Sequence, residues 1–507
     1  MTPKSQLPSA PVIDGLHLQA SGRAVVVPFR VRLRTGNDHI VELVCTRVLR
    51  VLPGKRLVCL GECDADPVVV KFFLDPRRSK AHCAREERGI TALKKCNIKT
   101  PDLLFKGTIR PNDVPVLVFQ QVTQAQDMDA VWKQTSDACR HNELLCRAVT
   151  VIAEQHETGM KQDDLHMGNF LFTQNDIYTI DGDSVYTRRS GRPLSTSMSL
   201  KNLGLFFAQF GPRFDCLVPK AFCVYTEKRD WPEDRGRYLR LVKEIHKQRN
   251  WRKNRYLKKI YRECSAFVRR KTWNRFVVCD RNYYNETMEP LLNDPDSMIK
   301  TGRMIKKGNT STVSLVEAGG QRFVVKRYNI KNIRHAIGRS FRSSRASVSW
   351  RNGHRLRFLG IFTPEPVALI EKRRGPFRSG AYFITKYVDG IDACRLFHSE
   401  ASGHLKQKEV VKKFGKLVQA LSDASISHGD SKATNFLVTK HGLSVIDLDS
   451  MTEHRLRWRF KKAFARDCKR FMKNWMDLPK ISSMFHNEIK KVTGLEMKKK
   501  ELSEKKM

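Results

Sequence analysis

The chain has 507 residues, of which 40% are hydrophobic and 9% aromatic, enough apolar material for buried cores and too much for a disordered chain. Lys and Arg number 94 against 52 Asp and Glu, and the formal net charge of +42 points to a polyanionic partner: nucleic acid, an anionic membrane surface or a phosphorylated substrate. The 13 cysteines are odd in number and form no metal-type pairs of CxxC motifs, so they read as reduced thiols in a reducing compartment.

The first residues, Met1 to Leu18, lack the basic-then-apolar pattern of an export signal and read as a loose arm over 1–20. No apolar run approaches the ~18 residues of a spanning helix. The longest candidate, Leu203 to Ala208, reads as a buried helix, so the expected location is cytoplasmic, with membrane contact at most peripheral.

Next comes a strand-rich region whose apolar run Val68-Val69-Val70 ends in Lys71. An amphipathic stretch, Thr100-Pro101, a strand and a long helical pattern follow, and then Asp164, Asn169 and Asp181. Residues Arg235 to Arg275 are helical in pattern and strongly basic. A boundary is expected near 270, with a β-type stretch at Phe276 to Cys279 and a turn at Asn293 to Ser297. The same order then recurs: Phe323-Val324-Val325-Lys326, a helical stretch, Thr363-Pro364, and Asp430, Asn435 and Asp447. In both copies the asparagine follows the first aspartate by five residues and the second aspartate follows the asparagine by twelve. Tyr256 to Phe267 and Phe460 to Phe471 read as a further shared helix with a basic face. The lysine-dense tail 490–507 is expected to fray. The expected organisation is an arm (1–20), a first domain (21–270), a second domain (271–489) and the tail. Each domain is α+β, with strands first and helices after.

The spacing suits phosphoryl transfer from ATP, which needs held phosphates, Mg²⁺ and a group that orients the attacking hydroxyl. Lys71 and Lys326, each at the end of a buried strand, can bridge two phosphates. Asp164 and Asp430 can accept the hydrogen bond of an acceptor hydroxyl. Asn169 and Asn435 offer neutral oxygens to Mg²⁺, and Asp181 and Asp447 anionic ones. Asp183 and Asp449 read either as facing a second metal position or as caps of the following turn, with capping slightly favoured, and His166 and His428 as hydrogen-bonding anchors of the loop. Phosphate-covering loops fall at Val51 to Lys55 and Lys307 to Val313, neither with the glycine pattern G-x-G-x-x-G.

These residues resemble the protein-kinase-like superfamily and, within it, the bacterial lipopolysaccharide core (heptose and Kdo) kinases. The markers are DLHMGNFLF at 164–172, HGDSKATNF at 428–436, IDGDS and IDLDS, and the Ser349-Trp350-Arg351-Asn352-Gly353-His354 and Arg466-Asp467-Cys468 segments. The resemblance spans roughly 45 to 475. It implies two tandem bilobal kinase-like domains using ATP and Mg²⁺ on a lipid-linked core saccharide, at the inner face of a bacterial inner membrane. It implies ATP-binding roles for Lys71 and Lys326, catalytic roles for Asp164 and Asp430, and metal roles for Asn169, Asp181, Asn435 and Asp447. Glu86 and Glu87 stand where the family places the helix glutamate that pairs with the lysine, and Glu87 is preferred. The second copy departs here, with no Asp or Glu between Lys326 and Pro364 and with Ser349 and Trp350 near the matching positions. Gln162 stands two residues before Asp164, where the family has histidine.

Trp251, Tyr256 and Tyr261, and Trp458, Phe460 and Phe464, suit a basic face on an anionic membrane, but at this spacing aromatics are more often core, and core is the preferred reading. The competing functions are a RIO-like protein Ser/Thr kinase and a basic scaffold with degenerate kinase domains. Nucleic acid is the less favoured polyanion.

Overall fold

The computed structural model of the chain describes residues 10–36, 38–188, 191–329, 343–374, 377–399 and 404–494. The architecture is α+β and divides into two compact units, Met1–Phe210 with Phe214–Arg249, and Asn250–Met507 with Gly211–Arg213.

In the first unit a short helix α1 (Gly15–Ala20) precedes six antiparallel strands: β1 (Phe29–Thr35), β2 (Ile40–Leu52), β3 (Arg56–Cys63), β4 (Asp66–Phe73), β5 (Leu103–Ile109) and β6 (Val114–Gln120). They close into a barrel in the order β1-β2-β3-β4-β6-β5. Strand alternation fills it: Phe29, Val31 and Leu33 of β1 join Val68, Val70 and Phe72 of β4 in one buried cluster. The same period of two sets Lys71 on the opposite face of β4, away from the barrel interior. There helix α2 (Ser79–Lys95) lays its buried residues Cys83, Glu86, Gly89, Ile90 and Leu93. The helical half packs Ala138–Glu157, Thr196–Phe207 and Val218–Lys228 around Leu144, Ile152, Leu203, Phe206 and Phe222.

The arm expected over 1–20 is anchored where it is described. Ala10 and Leu18 are buried, Val12 bridges to Arg30, and Asp14 caps α1 by accepting from the His17 backbone N–H. Residues 1–9 lie outside the described ones.

The second unit carries a seven-stranded antiparallel sheet in the order Phe267–Lys271, Arg275–Asp280, Pro366–Arg374, Phe377–Lys386, Gln321–Tyr328, Ser311–Ala318, Arg303–Lys307. Helix Arg345–Phe358 packs on it. A helical half follows, His404–Asp423, Arg457–Met472 and Pro479–Thr493, around Phe414, Phe436, Phe471, Trp475 and Phe485. The division falls after Arg249 rather than near 270. The physical reason is packing: Leu257, Ile260 and Phe267 join Trp350, Leu369 and Phe383 in one core cluster of the second unit. The tail expected from 490 also begins later, because the last helix runs to Thr493, with Ile489 buried and Gly494 ending it at φ 67°. Residues 495–507 lie outside the described ones.

The helix expected to be shared by Tyr256–Phe267 and Phe460–Phe471 exists only in the second place. The first segment leaves its helix after Lys259 and enters a strand at Phe267. Among the described residues no helix is long and apolar enough to cross a membrane.

Candidate active site

In the first unit the β4 lysine meets two carboxylates. Lys71 Nζ lies 2.5 Å from Glu86 Oε1 and 3.0 Å from Asp181 Oδ1. Burial works against the ammonium charge, but Glu86 and Asp181 outweigh it and hold the Lys71 pKa above the usual lysine value. Burial likewise opposes ionisation of Asp181, and Lys71, Arg56 and Arg50 overcome it, holding the carboxyl well below its usual range.

The expected partner Glu87 is displaced by its neighbour. Glu87 faces Lys106 at 2.8 Å, whereas Glu86 is fully buried and also accepts from the backbone N–H groups of Gly182 (3.2 Å) and Asp183 (3.0 Å). The reason is helix phase: Glu86 shares a face with Gly89, Ile90 and Leu93. Gly89 is what permits the approach, since a Cβ there would stand 2.0 Å from the Gly182 carbonyl oxygen.

Asp181 has φ 66° and ψ 75°, and Asp447 in the second unit has φ 60° and ψ 58°. Left-handed backbone costs a non-glycine residue about 1 kcal/mol, and both aspartates adopt it at the end of the same strand–turn piece. The residues after them are not caps. Asp183 is held by Arg56 (2.9 Å), Arg85 (2.8 Å) and His82 (2.8 Å). Asp449 is held by Arg345 at 2.6 Å, with Lys326 at 3.6 Å.

The loop anchors differ in chemistry and agree in task. His428 Nε2 lies 3.1 Å from the Ile446 carbonyl oxygen, and Gln162 Nε2 donates to the Ile180 carbonyl at 2.9 Å. Each ties the loop to the residue before the left-handed aspartate. Burial pushes the His428 pKa down, so the ring is a neutral donor to that carbonyl and an anchor of the loop. From below, Asp467 accepts the backbone N–H groups of His428 (2.6 Å) and Gly429 (3.0 Å). In the first unit Asn202, on helix Thr196–Phe207, instead donates to the Gln162 carbonyl at 2.8 Å. That helix, and not Tyr256–Phe267, is the counterpart of Arg457–Met472.

The two loop aspartates have different surroundings. Asp164 is exposed and makes no ion pair or hydrogen bond with another described residue. Asp430 has the Arg470 guanidinium 2.6 Å from Oδ1, out of line for a hydrogen bond, and Lys432 3.6 Å from Oδ2.

Lys326 pairs with Asp447 as well as approaching Asp449. Burial opposes its charge, and Tyr328, Asp447 and Asp449 outweigh that and raise its pKa. The carboxylate missing from the helix is thus replaced by Asp449, while Ser349 bonds the Tyr328 hydroxyl at 2.7 Å. Lys326, Ser311, Asn435 and Asp447 line a cleft of about 910 Å³, flanked by Val313 and Val324 on the sheet side and by Leu437 and Ile446 on the other. Asn435 gives its Nδ2 to the Asp430 carbonyl at 2.8 Å, which leaves Oδ1 for another partner. Together with Asp447 this oxygen donor set fits Mg²⁺. In the first unit the fit fails at Asn169, whose Oδ1 already accepts the His166 backbone N–H at 2.7 Å, and Asp181, which like Asp447 carries its lysine on Oδ1, also has Arg50 3.7 Å from Oδ2.

Sequence reasoning missed Arg56, and it named Asp449 and Asp467 without the partners they take. Asp449 was readable from the repeated Asp-x-Asp, and Asp467 from the one acidic residue inside an otherwise basic helix.

Residues 296–492 match the family model described as the lipopolysaccharide kinase (Kdo/WaaP) family, a span that contains Lys326, Asp430, Asn435, Asp447 and Asp467. No curated protein matches the chain. Over residues 296–492 the chain thus resembles the lipopolysaccharide kinase (Kdo/WaaP) family, a likeness that indicates an ATP-dependent kinase.

Proposed function

We propose that the second unit is a bilobal kinase-like domain that transfers the γ-phosphoryl group of ATP to a hydroxyl of a lipopolysaccharide core sugar, heptose or Kdo, and that the first unit is a second kinase-like copy. The observation that carries this reading is the 910 Å³ cleft in the matched span, with Lys326, Asn435 and Asp447 on its wall. Val313, Val324, Leu437 and Ile446 give a flat base an apolar slot. Lys326 holds phosphate oxygens as a point charge. Asp430 accepts the hydrogen bond of the acceptor hydroxyl and orients it for in-line attack. Asn435 and Asp447 would hold Mg²⁺, which neutralises charge on the phosphates when bound.

The net charge of +42 supports work at an anionic bilayer surface, the cytoplasmic face of the inner membrane. Of the aromatics weighed for such a face, Phe460 and Phe464 are core, and Tyr256 and Tyr261 are half-buried. Trp458 (62% exposed) and Trp251 (51%) remain, the former beside exposed Arg457, Arg459, Lys461 and Lys462.

The test is incubation of the protein with ATP, Mg²⁺ and dephosphorylated core oligosaccharide, followed by mass spectrometry. A phosphosugar is expected. Phosphate appearing only on added protein would favour the RIO-like alternative.

A further inference from the structure

We propose that only the second unit takes a metal-bound nucleotide, and that in the first unit Arg50 and Arg56 stand against Asp181 and Asp183 where a divalent ion would have to bind. The inference rests on the reading above only in placing the metal-using site in the second unit.

Three observations carry it. First, the oxygens are already engaged. Each metal-site aspartate has its lysine on one oxygen, Lys71 on Asp181 and Lys326 on Asp447, but Asp181 also has Arg50 at 3.7 Å on the other. Asp183 has Arg85 on Oδ1, with Arg56 and His82 on Oδ2. Asn169 Oδ1 is turned into its own loop, where it accepts the His166 N–H.

Second, the register of the strands shows what changed. Val58 pairs with Lys71 and Val313 pairs with Lys326, so the residue two before each valine holds the same place on its sheet. That residue is Arg56 in the first unit and Ser311 in the second. Ser311 lines the open cleft. Arg56 is 14% exposed, packs its guanidinium 4.9 Å from the Phe73 ring centre, and reaches both Asp183 and, at 3.9 Å, Glu86. A guanidinium carries one charge on a broad plane and cannot accept phosphate oxygens as ligands in the way a small divalent ion does. Displacing it would strand a buried cation or carboxylate, which is costly.

Third, the asymmetry runs opposite to the sequence. The first unit keeps the helix glutamate and the second lacks it, yet the oxygen free for a metal is on Asn435.

Calorimetric titration of the full-length protein with a non-hydrolysable ATP analogue, with Mg²⁺ and again with EDTA, tests this without any acceptor. A failure of the sugar-kinase reading therefore leaves the count untouched. One Mg²⁺-dependent nucleotide per chain is expected, and Asp447→Asn should remove it. Two per chain, none, or one that survives Asp447→Asn in a folded variant would overturn the proposal. Replacing Mg²⁺ by Fe²⁺ with ascorbate and peroxide locates the metal in the unmodified chain. Backbone cleavage near Asp447 is expected, and cleavage near Asp181 overturns the inference.

Discussion

The two units hold the same lysine, left-handed aspartate and anchored loop, and spend them differently. In the first unit the ionic groups are satisfied by one another: Lys71 with Glu86 and Asp181, and Arg56, Arg85 and His82 with Asp183. In the second, Lys326 has two aspartates, a serine replaces the arginine, and a cleft of about 910 Å³ stays open beside them. The contrast lies at the oxygens that could hold a metal, Asn435 Oδ1 being free and Asn169 Oδ1 not, and not at the loop aspartates, where Asp164 is the unpaired one and Asp430 is held by Arg470 and Lys432.

Activity gives the widest separation. Asp430→Asn should lower kcat by about 10²–10⁴-fold in a phosphorylation assay. The same exchange at Asp164 should cost far less, and equal losses would erase the distinction between the units. Stability comes next. Glu86→Ala leaves the buried Lys71 ammonium with Asp181 alone and takes the acceptor from the Gly182 and Asp183 N–H groups, and should cost about 3–5 kcal/mol in denaturant unfolding. Glu87→Ala breaks an exposed pair and should cost under about 1 kcal/mol. If the two costs match, the pairing of Lys71 with Glu86 is wrong.

A smaller effect concerns the helix beneath the loop. Asp467→Asn imports the side chain that the first unit uses, but replaces the charged two-oxygen acceptor of the His428 and Gly429 N–H groups by one neutral oxygen and an NH2 that repels any N–H it faces. A loss of about 1–3 kcal/mol is expected, with a lower kcat. The smallest effect is pH. Burial lowers His156 in the first unit and His354 in the second to about 3, from an ordinary value of 6.5. Each is neutral when folded and gains a proton more readily when unfolded. Their contribution is therefore full above pH 6.5 and is lost as pH falls towards 3, by at most about 1.4 kcal/mol per pH unit for each ring. Melting temperatures between pH 7.5 and 5 should fall, and His156→Gln should flatten the slope. An unchanged slope would remove His156 from the account.

The sequence made the reactive loops readable because their lengths are fixed by the chemistry they serve: five residues and then twelve, twice. Helix phase was less legible. Glu86 and Glu87 are adjacent letters about 100° apart on a helix. The clue that separates them is Gly89 with Ile90 and Leu93, which share a face with Glu86, while exposed Thr91 follows Glu87. Composition misled in another way. Tyr256–Phe267 and Phe460–Phe471 share letters and not structure, because the first must turn into a strand to join the seven-stranded sheet. Phe460 and Phe464 are core, as their spacing on helix Arg457–Met472 favours over a membrane face. The repeated Asp-x-Asp marks Asp449 as part of the site, but no local pattern announces that it serves Lys326, which lies on a distant strand.

The meeting of Gly89 and Gly182 has a mechanical consequence. Main chain presses on main chain there, and a Cβ on either residue would fall within 2.4 Å of the other segment. No side chain lies between them that could change rotamer and absorb a displacement. The helix Ser79–Lys95 and the turn bearing Asp181 must therefore shift together, like two welded plates. In the second unit Gly353 faces the side chains of Pro366 and Leu448, a softer bearing. Stiffness is thus distributed unevenly along the chain, and the more pliable hinge lies beside the open cleft.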